Sequence, residues 1–266
     1  MTRPDRESSE PGVIRIVADL GNSRLKWGRL DAAGALAATA ALPLDDPEVW
    51  AGTLDSWAAG GAEISWAIAS VNPPLADRLA AFLGRRGIGA IRWFRSAADV
   101  PVPHDLDRPE TAGADRALAV LAAIELHRSG RSGLVVSCGT ALTVERVDVA
   151  GIWAGGAIAP GLGLSARGLN RLTAQLPLVA VDGPGPAWGT STEPAIAAGL
   201  FWGTLGAIRE LVARQSQGLG PGTPWLVWTG GEAALFAPWI EWPGATTCPH
   251  LVLMGLARAG FASPPP

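Results

Sequence analysis

Tyrosine is absent from the 266 residues, lysine occurs only at Lys26, and there are two cysteines and three histidines. Cys138 and Cys248 are too few for the disulfide framework of a small secreted domain, so a reducing cytoplasm is the expected setting. His104, His127 and His250 do not fall at metal-ligand spacings, and His127 reads as a helix cap. Basic runs are missing too. With a formal net charge of −3, the chain is expected to bind neither nucleic acid nor a membrane surface. No uninterrupted apolar stretch approaches the roughly 20 residues that span a bilayer. The polar residues 1–10 lack the apolar core of a signal peptide and read as a loose arm. The tail Ser263-Pro264-Pro265-Pro266 is a poor element former.

What is plentiful is apolar surface. Hydrophobic side chains make up 48% of the chain, with 12 tryptophans, enough for one large domain or two of ordinary size. Strand and helix patterns alternate, which predicts an α/β fold. Strands are expected over 13–18, 24–30, 64–71, 91–94, 134–137, 142–149 and 225–228. Helices are expected over 50–59, 75–83, 114–126, 162–176, 195–213 and 251–259. Arg128-Ser129-Gly130 reads as the close of the third helix, 96–110 as a loop, and 151–159 as a glycine-rich stretch.

Two turns stand in one register, with Asp19 and Ser137 118 positions apart. Val17-Ala18-Asp19-Leu20-Gly21-Asn22-Ser23 and Val136-Ser137-Cys138-Gly139-Thr140-Ala141 each run from strand through turn to strand. Dinucleotide and lysine-bearing phosphate loops lead into a helix instead, and their spacings are absent. The repeat predicts two lobes facing one ligand across a cleft. Gly21 and Gly139 permit close backbone approach, while Asn22, Ser23 and Thr140 can donate to phosphate oxygens. Asp19 would repel phosphate directly but suits hydrated magnesium. The plainer alternative is a β-turn whose aspartate accepts backbone hydrogen bonds.

Between the turns lies Thr111-Ala112-Gly113-Ala114-Asp115-Arg116. Asp115 can accept a proton from an attacking hydroxyl, and Arg116 can pair with a carboxylate or with phosphoryl charge. An ordinary helix start explains the same residues. Thr143, Gly155-Gly156, Gly161 and Thr229-Gly230-Gly231 add small polar surfaces after expected strands, suited to phosphate, ribose or base. Cys138, inside the second loop, has no histidine partner to make it a nucleophile. Lys26 alternates with Leu25 and Trp27 and is either solvated or on the polar side near the first turn.

The set Asp19-Leu20-Gly21-Asn22-Ser23, Gly113-Ala114-Asp115-Arg116, Gly139-Thr140-Ala141, Gly155 to Gly161, Thr173 to Pro177 and Thr229-Gly230-Gly231 resembles the type III pantothenate kinases over about residues 13–260. The resemblance implies two ribonuclease-H-like lobes of the actin-like ATPase fold around a nucleotide cleft, here divided as 12–112 and 113–262. It implies ATP-dependent phosphorylation of pantothenate to 4'-phosphopantothenate by a cytoplasmic homodimer that uses Mg2+ and a monovalent cation, K+ or NH4+. On this pattern Asp19 serves ATP and magnesium, Asp115 is the base, Gly113, Arg116 and Thr192 bind pantothenate, and Gly139, Thr140 and Gly230 serve ATP.

Two departures from the pattern follow. Relatives usually carry aspartate at Ser137, the expected monovalent-cation position, and often at Glu145. Serine loses a unit charge, so cation coordination is expected to weaken unless Glu145, Asp148 or water compensates. Many relatives also place a tyrosine near the pantothenate pocket, a space that Trp93 or another aromatic would have to fill. The competing functions are a related kinase for another small hydroxyl acceptor and a non-catalytic nucleotide-binding regulator.

Overall fold

The computed structural model describes residues 13–58, 63–127 and 130–261. The expected loose arm, the proline-rich tail and Arg128-Ser129 lie outside them. Among the described residues, the first sheet is built from β1 (Ile14–Leu20), β2 (Leu25–Leu30), β3 (Leu36–Leu42), β4 (Ile64–Ser70) and β5 (Ile91–Phe94). The second is built from β6 (Gly133–Cys138), β7 (Ala141–Val147), β8 (Trp153–Pro160), β9 (Trp225–Thr229) and β10 (Thr246–Thr247). Their orders are β3-β2-β1-β4-β5 and, read from the opposite edge, β8-β7-β6-β9-β10. In each, three antiparallel strands are followed by two parallel ones. The repeated turn seen in the sequence thus belongs to a repeated sheet, with Asp19 on β1 and Ser137 on β6.

Helices α1 (Pro47–Trp57), α2 (Pro73–Arg85), α3 (Ala114–Leu126), α4 (Leu162–Leu172), α5 (Thr192–Ser216), α6 (Ala233–Phe236) and α7 (Leu251–Phe261) complete the chain. The pleat of each sheet decides which core receives which residue. Ile16, Ala18 and Leu20 point to an outer core with Trp50 of α1 and Leu79 of α2. Val17 points the other way, into a central core with α3, α7 and Val135 of β6. Leu134 and Val136 face a third core with Phe201 and Leu205 of α5. The α3 and α7 pair therefore lies between the sheets, with α7 packed on β1 and β4 of the first. α3 is apolar nearly all round because it meets neighbours on several sides.

At 25 residues, α5 is long and apolar enough to cross a membrane by length and composition, which no uninterrupted apolar run in the sequence announces. Its buried stripe packs in the third core instead.

Candidate active site

Both turns open at the ends of equivalent strands. Since Val17 belongs to the central core, its pleat-mate Asp19 shares that face and points into the cleft between the sheets. The turn then closes on itself: Gly21 N–H donates to Arg24 O at 3.1 Å. A Cβ at Gly21 would stand 3.2 Å from that same oxygen.

In the second loop Gly139 N–H donates to Ala141 O at 3.2 Å, and Gly161 N–H donates to Thr140 O at 3.1 Å. Gly161 presses so closely that a Cβ there would lie 2.0 Å from Gly139 O. Gly230, at φ +93°, supports the loop from β9, and its own Cβ would sit 2.2 Å from Cys138 O. The loops meet across the cleft, with Ser23 Oγ and Thr140 Oγ1 2.7 Å apart in a hydrogen bond.

Asp115 sits in the first turn of α3, where Gly113 is the N-cap. A side chain at Gly113 would place its Cβ 2.4 Å from Asp115 Oδ1, so the glycine makes room for the carboxylate. Arg116 N–H donates to that same oxygen at 2.9 Å. Asp19 and Asp115 line one cavity of about 490 Å³ together with Asn22, Ser137 and Gly230. Burial, then repulsion from Asp115, pushes Asp19 up to about 6, and Lys26 only partly offsets this. Burial also raises Asp115, against the pull of the Arg116 amide and guanidinium. Two carboxylates held this way suit a divalent cation, which relieves both desolvation and repulsion. Among the described residues no three His, Cys, Asp or Glu side chains cluster as a metal cage. Asp19 with phosphate oxygens and water would then hold the ion, as magnesium prefers.

Arg116 is already engaged. Its Nε and Nη2 donate to Glu145 Oε1 and Oε2, both at 2.6 Å. The indole N–H of Trp153 adds a bond to Glu145 at 3.1 Å, and the guanidinium lies over the Trp153 ring with 5.3 Å to its centroid. Glu145 is 1% exposed. Burial opposes the Arg116 charge, but Glu145 outweighs it and the guanidinium is raised above its ordinary value. The sequence points to Glu145 only as a possible substitute cation ligand, and its role as the partner of Arg116 comes from the packing of α3 on β7.

Not every expected residue converges. Thr192 is the first residue of α5, exposed and outside the cavity lining. Trp93, considered for the place of a tyrosine, packs against the outer core. Cys138 is buried and its thiol is pushed up to about 12, so it is no nucleophile. His127 occupies the C-cap of α3, stacked on Trp225. Lys26 lines the cavity, as do Arg24, Arg167 and Glu232, three charged groups that nothing in their local sequence marked.

A family model described as type III pantothenate kinase matches residues 15–214. The type III pantothenate kinase of Chromobacterium violaceum is 36% identical over 262 residues, covering 92% of this chain and 98% of its own. This chain belongs to the type III pantothenate kinase family. The family member from Paramagnetospirillum magneticum is 42% identical over 132 residues, and that match spans about half the length of each chain. Among solved structures, a Sinorhizobium meliloti protein described as a 2-dehydro-3-deoxygalactonokinase aligns with TM-score 0.58 at 16% identity. It covers 92% of this chain and 97% of that one. An ethanolamine utilization protein from Carboxydothermus hydrogenoformans aligns at 0.52 and 13%, covering 94% and 91%. These likenesses show the fold, an actin-like pair of lobes with open sheets.

Proposed function

We propose that this chain transfers the γ-phosphoryl group of ATP to the primary hydroxyl of pantothenate, giving 4'-phosphopantothenate and ADP. The observation that carries the reading is the meeting of Asp19 and Asp115 in one cavity between two phosphate-type loops. The Asp115 carboxylate takes the hydroxyl proton as that oxygen bonds to the γ-phosphorus and the bond to the bridging oxygen of ADP breaks. Ser23, Thr140 and the Asn22 amide donate to the phosphate oxygens. Magnesium at Asp19, when bound, neutralises phosphate charge. Gly113 and Arg116 are assigned to the acceptor, while Thr192, expected there by the resemblance, is exposed and lies outside the cavity lining.

The lobes are taken as 12–112 and 113–262, closing on the nucleotide to exclude water. A cytoplasmic homodimer without nucleic-acid or membrane partners completes the proposal. Exposed Ile158 on β8 and Leu164, Leu169 and Leu172 on α4 support self-association.

The test is ATP-dependent appearance of 4'-phosphopantothenate by mass spectrometry. Asp115→Asn should lower kcat by about a hundredfold or more while an ATP analogue still binds. No product with magnesium, under any monovalent salt, would refute the reading. One observation favours a different acceptor: Arg116, suited to an acceptor carboxylate, is already paired with Glu145. A screen of small hydroxy acids and polyols ranks pantothenate first in kcat/KM if the first reading is right.

A further inference from the structure

Three elements that line the cavity of Asp19 and Asp115 run on to a second cavity, of about 520 Å³, at their other ends. β1 carries Asp19 near its end and Arg15 near its start, α3 carries Asp115 in its first turn and Glu125 in its last, and α7 carries Leu253 early and Phe261 last. The turn leading into β3 closes the remaining side. No step of the proposed reaction uses this space, yet its volume is that of a small-molecule site.

The walls are small or apolar, with Leu36, Leu126, Met254 and Phe261 the largest side chains, and three charged residues interrupt them. Two of the three answer each other, since Arg258 Nε donates to Glu125 Oε1 at 2.5 Å. The third is Arg15, whose guanidinium has no hydrogen-bond or ion-pair partner among the described residues. Its direction follows from the pleat. Ile16 points to the outer core, so half-buried Arg15 shares the inner face of β1 with Val17 and Asp19.

A cation beside apolar walls attracts an anion more strongly than one in water, and a guanidinium offers a carboxylate two parallel donors. One unanswered positive charge next to an apolar surface complements an amphiphilic anion. The head belongs at Arg15 rather than between the helices, where Glu125 and the carbonyl ends of α3 and α7 repel negative charge. Neither flanking segment of the chain has both parts of such a group: residues 1–12 include acids but only Met1 as a large apolar side chain, and residues 262–266 include no acidic side chain.

We infer that this cavity is a second ligand site, for a carboxylate of the fatty-acid class with its head on Arg15 and its chain along Leu36, Leu126, Met254 and Phe261. The inference does not rest on the phosphoryl donor or the acceptor.

Straight-chain carboxylates, below their micelle concentrations, are titrated into the full chain by calorimetry. Octanoate should bind at one site, and each methylene between butanoate and octanoate should tighten binding by about fourfold. Octylammonium, the same chain with a cationic head, should bind about tenfold more weakly or worse. Arg15→Ala should weaken octanoate by about tenfold or more, as loss of a charge-assisted contact does, and Arg15→Lys should keep part of the affinity. Ala257→Trp fills the cavity from α7 without altering its charge and should abolish binding, with circular dichroism as the check on each variant. Absence of octanoate binding to the natural chain would overturn the inference, as would an affinity indifferent to chain length or head charge, or one unchanged in folded Arg15→Ala or Ala257→Trp. Should a variant not fold, the chain-length and head-charge comparisons on the natural chain still decide.

Discussion

At the residue scale, the raised carboxylates make the site sensitive to acid in a definite direction. Asp19 titrates near 6 in the folded chain against an ordinary 3.8. Between these values the folded chain keeps a proton that the unfolded chain has lost. Stability of the ligand-free protein should therefore fall as pH rises from about 4 to about 6, and Asp19→Asn should flatten that slope in urea titrations. Turnover should move the other way, with kcat/KM climbing through pH 6 as Asp19 becomes the anion that magnesium needs. Glu145 yields a second prediction. Glu145→Ala leaves the largely buried Arg116 charge without its partner and should cost about 3 kcal/mol, read as a lower urea midpoint, with Glu145→Gln milder. Asp19, Asp115 and both loops were legible in the sequence because their chemistry is local: an acid beside a glycine turn, an acid opening a helix. The pairing of Arg116 with Glu145 was not, since it joins positions 29 apart in sequence through the packing of a helix on a strand.

At the element scale, the second phosphate loop is shaped by the strand end packed behind it. Gly161→Ala would drive a methyl into the carbonyls of Gly139 and Thr140. The expected result is a KM for ATP raised about tenfold or more by loss of charge-assisted phosphate contacts, with the KM for pantothenate nearly unchanged, measured by varying each substrate in turn. The same crowding explains what pattern reading overlooked. In the sequence β8 reads only as a glycine-rich stretch, because Gly155 and Gly156 carry no side chain to show alternation. Gly156 is glycine because a Cβ would meet Glu145 Oε2 at 2.4 Å. β3, Leu-Ala-Ala-Thr-Ala-Ala-Leu, hides in the same way behind small residues. α5 begins at Thr192, three residues before the expected start, because Pro194 falls within the first turn, where no intrahelical donor is needed. β5 and α3 matched their expected limits, β5 through its short Ile-Arg-Trp-Phe run and α3 through a nearly continuous apolar sequence.

At the scale of the whole molecule, α3 and α7 are the shared layer between two sheets of the same order. Gly255 lets them touch: a Cβ there would lie 2.1 Å from Leu118 O. Gly255→Ala should push the helices apart and lower the thermal midpoint by several degrees, the usual consequence of overpacking worth about 1–3 kcal/mol in a chain of this size. Hydrogen exchange should report faster opening in both sheets at once, because the central core is common to them. The duplicated architecture was readable from two turns in one register. The shared layer was not, because nothing local to residues 251–261 says that they return to the beginning of the chain.

That return orders events on the ribosome. Strands β1 and β4 are synthesised well before α7, the helix that covers their inner face. Until α7 leaves the exit tunnel, Val17 and Ala67 have no cover from it, and the nascent first sheet is a candidate for chaperone capture rather than a finished domain.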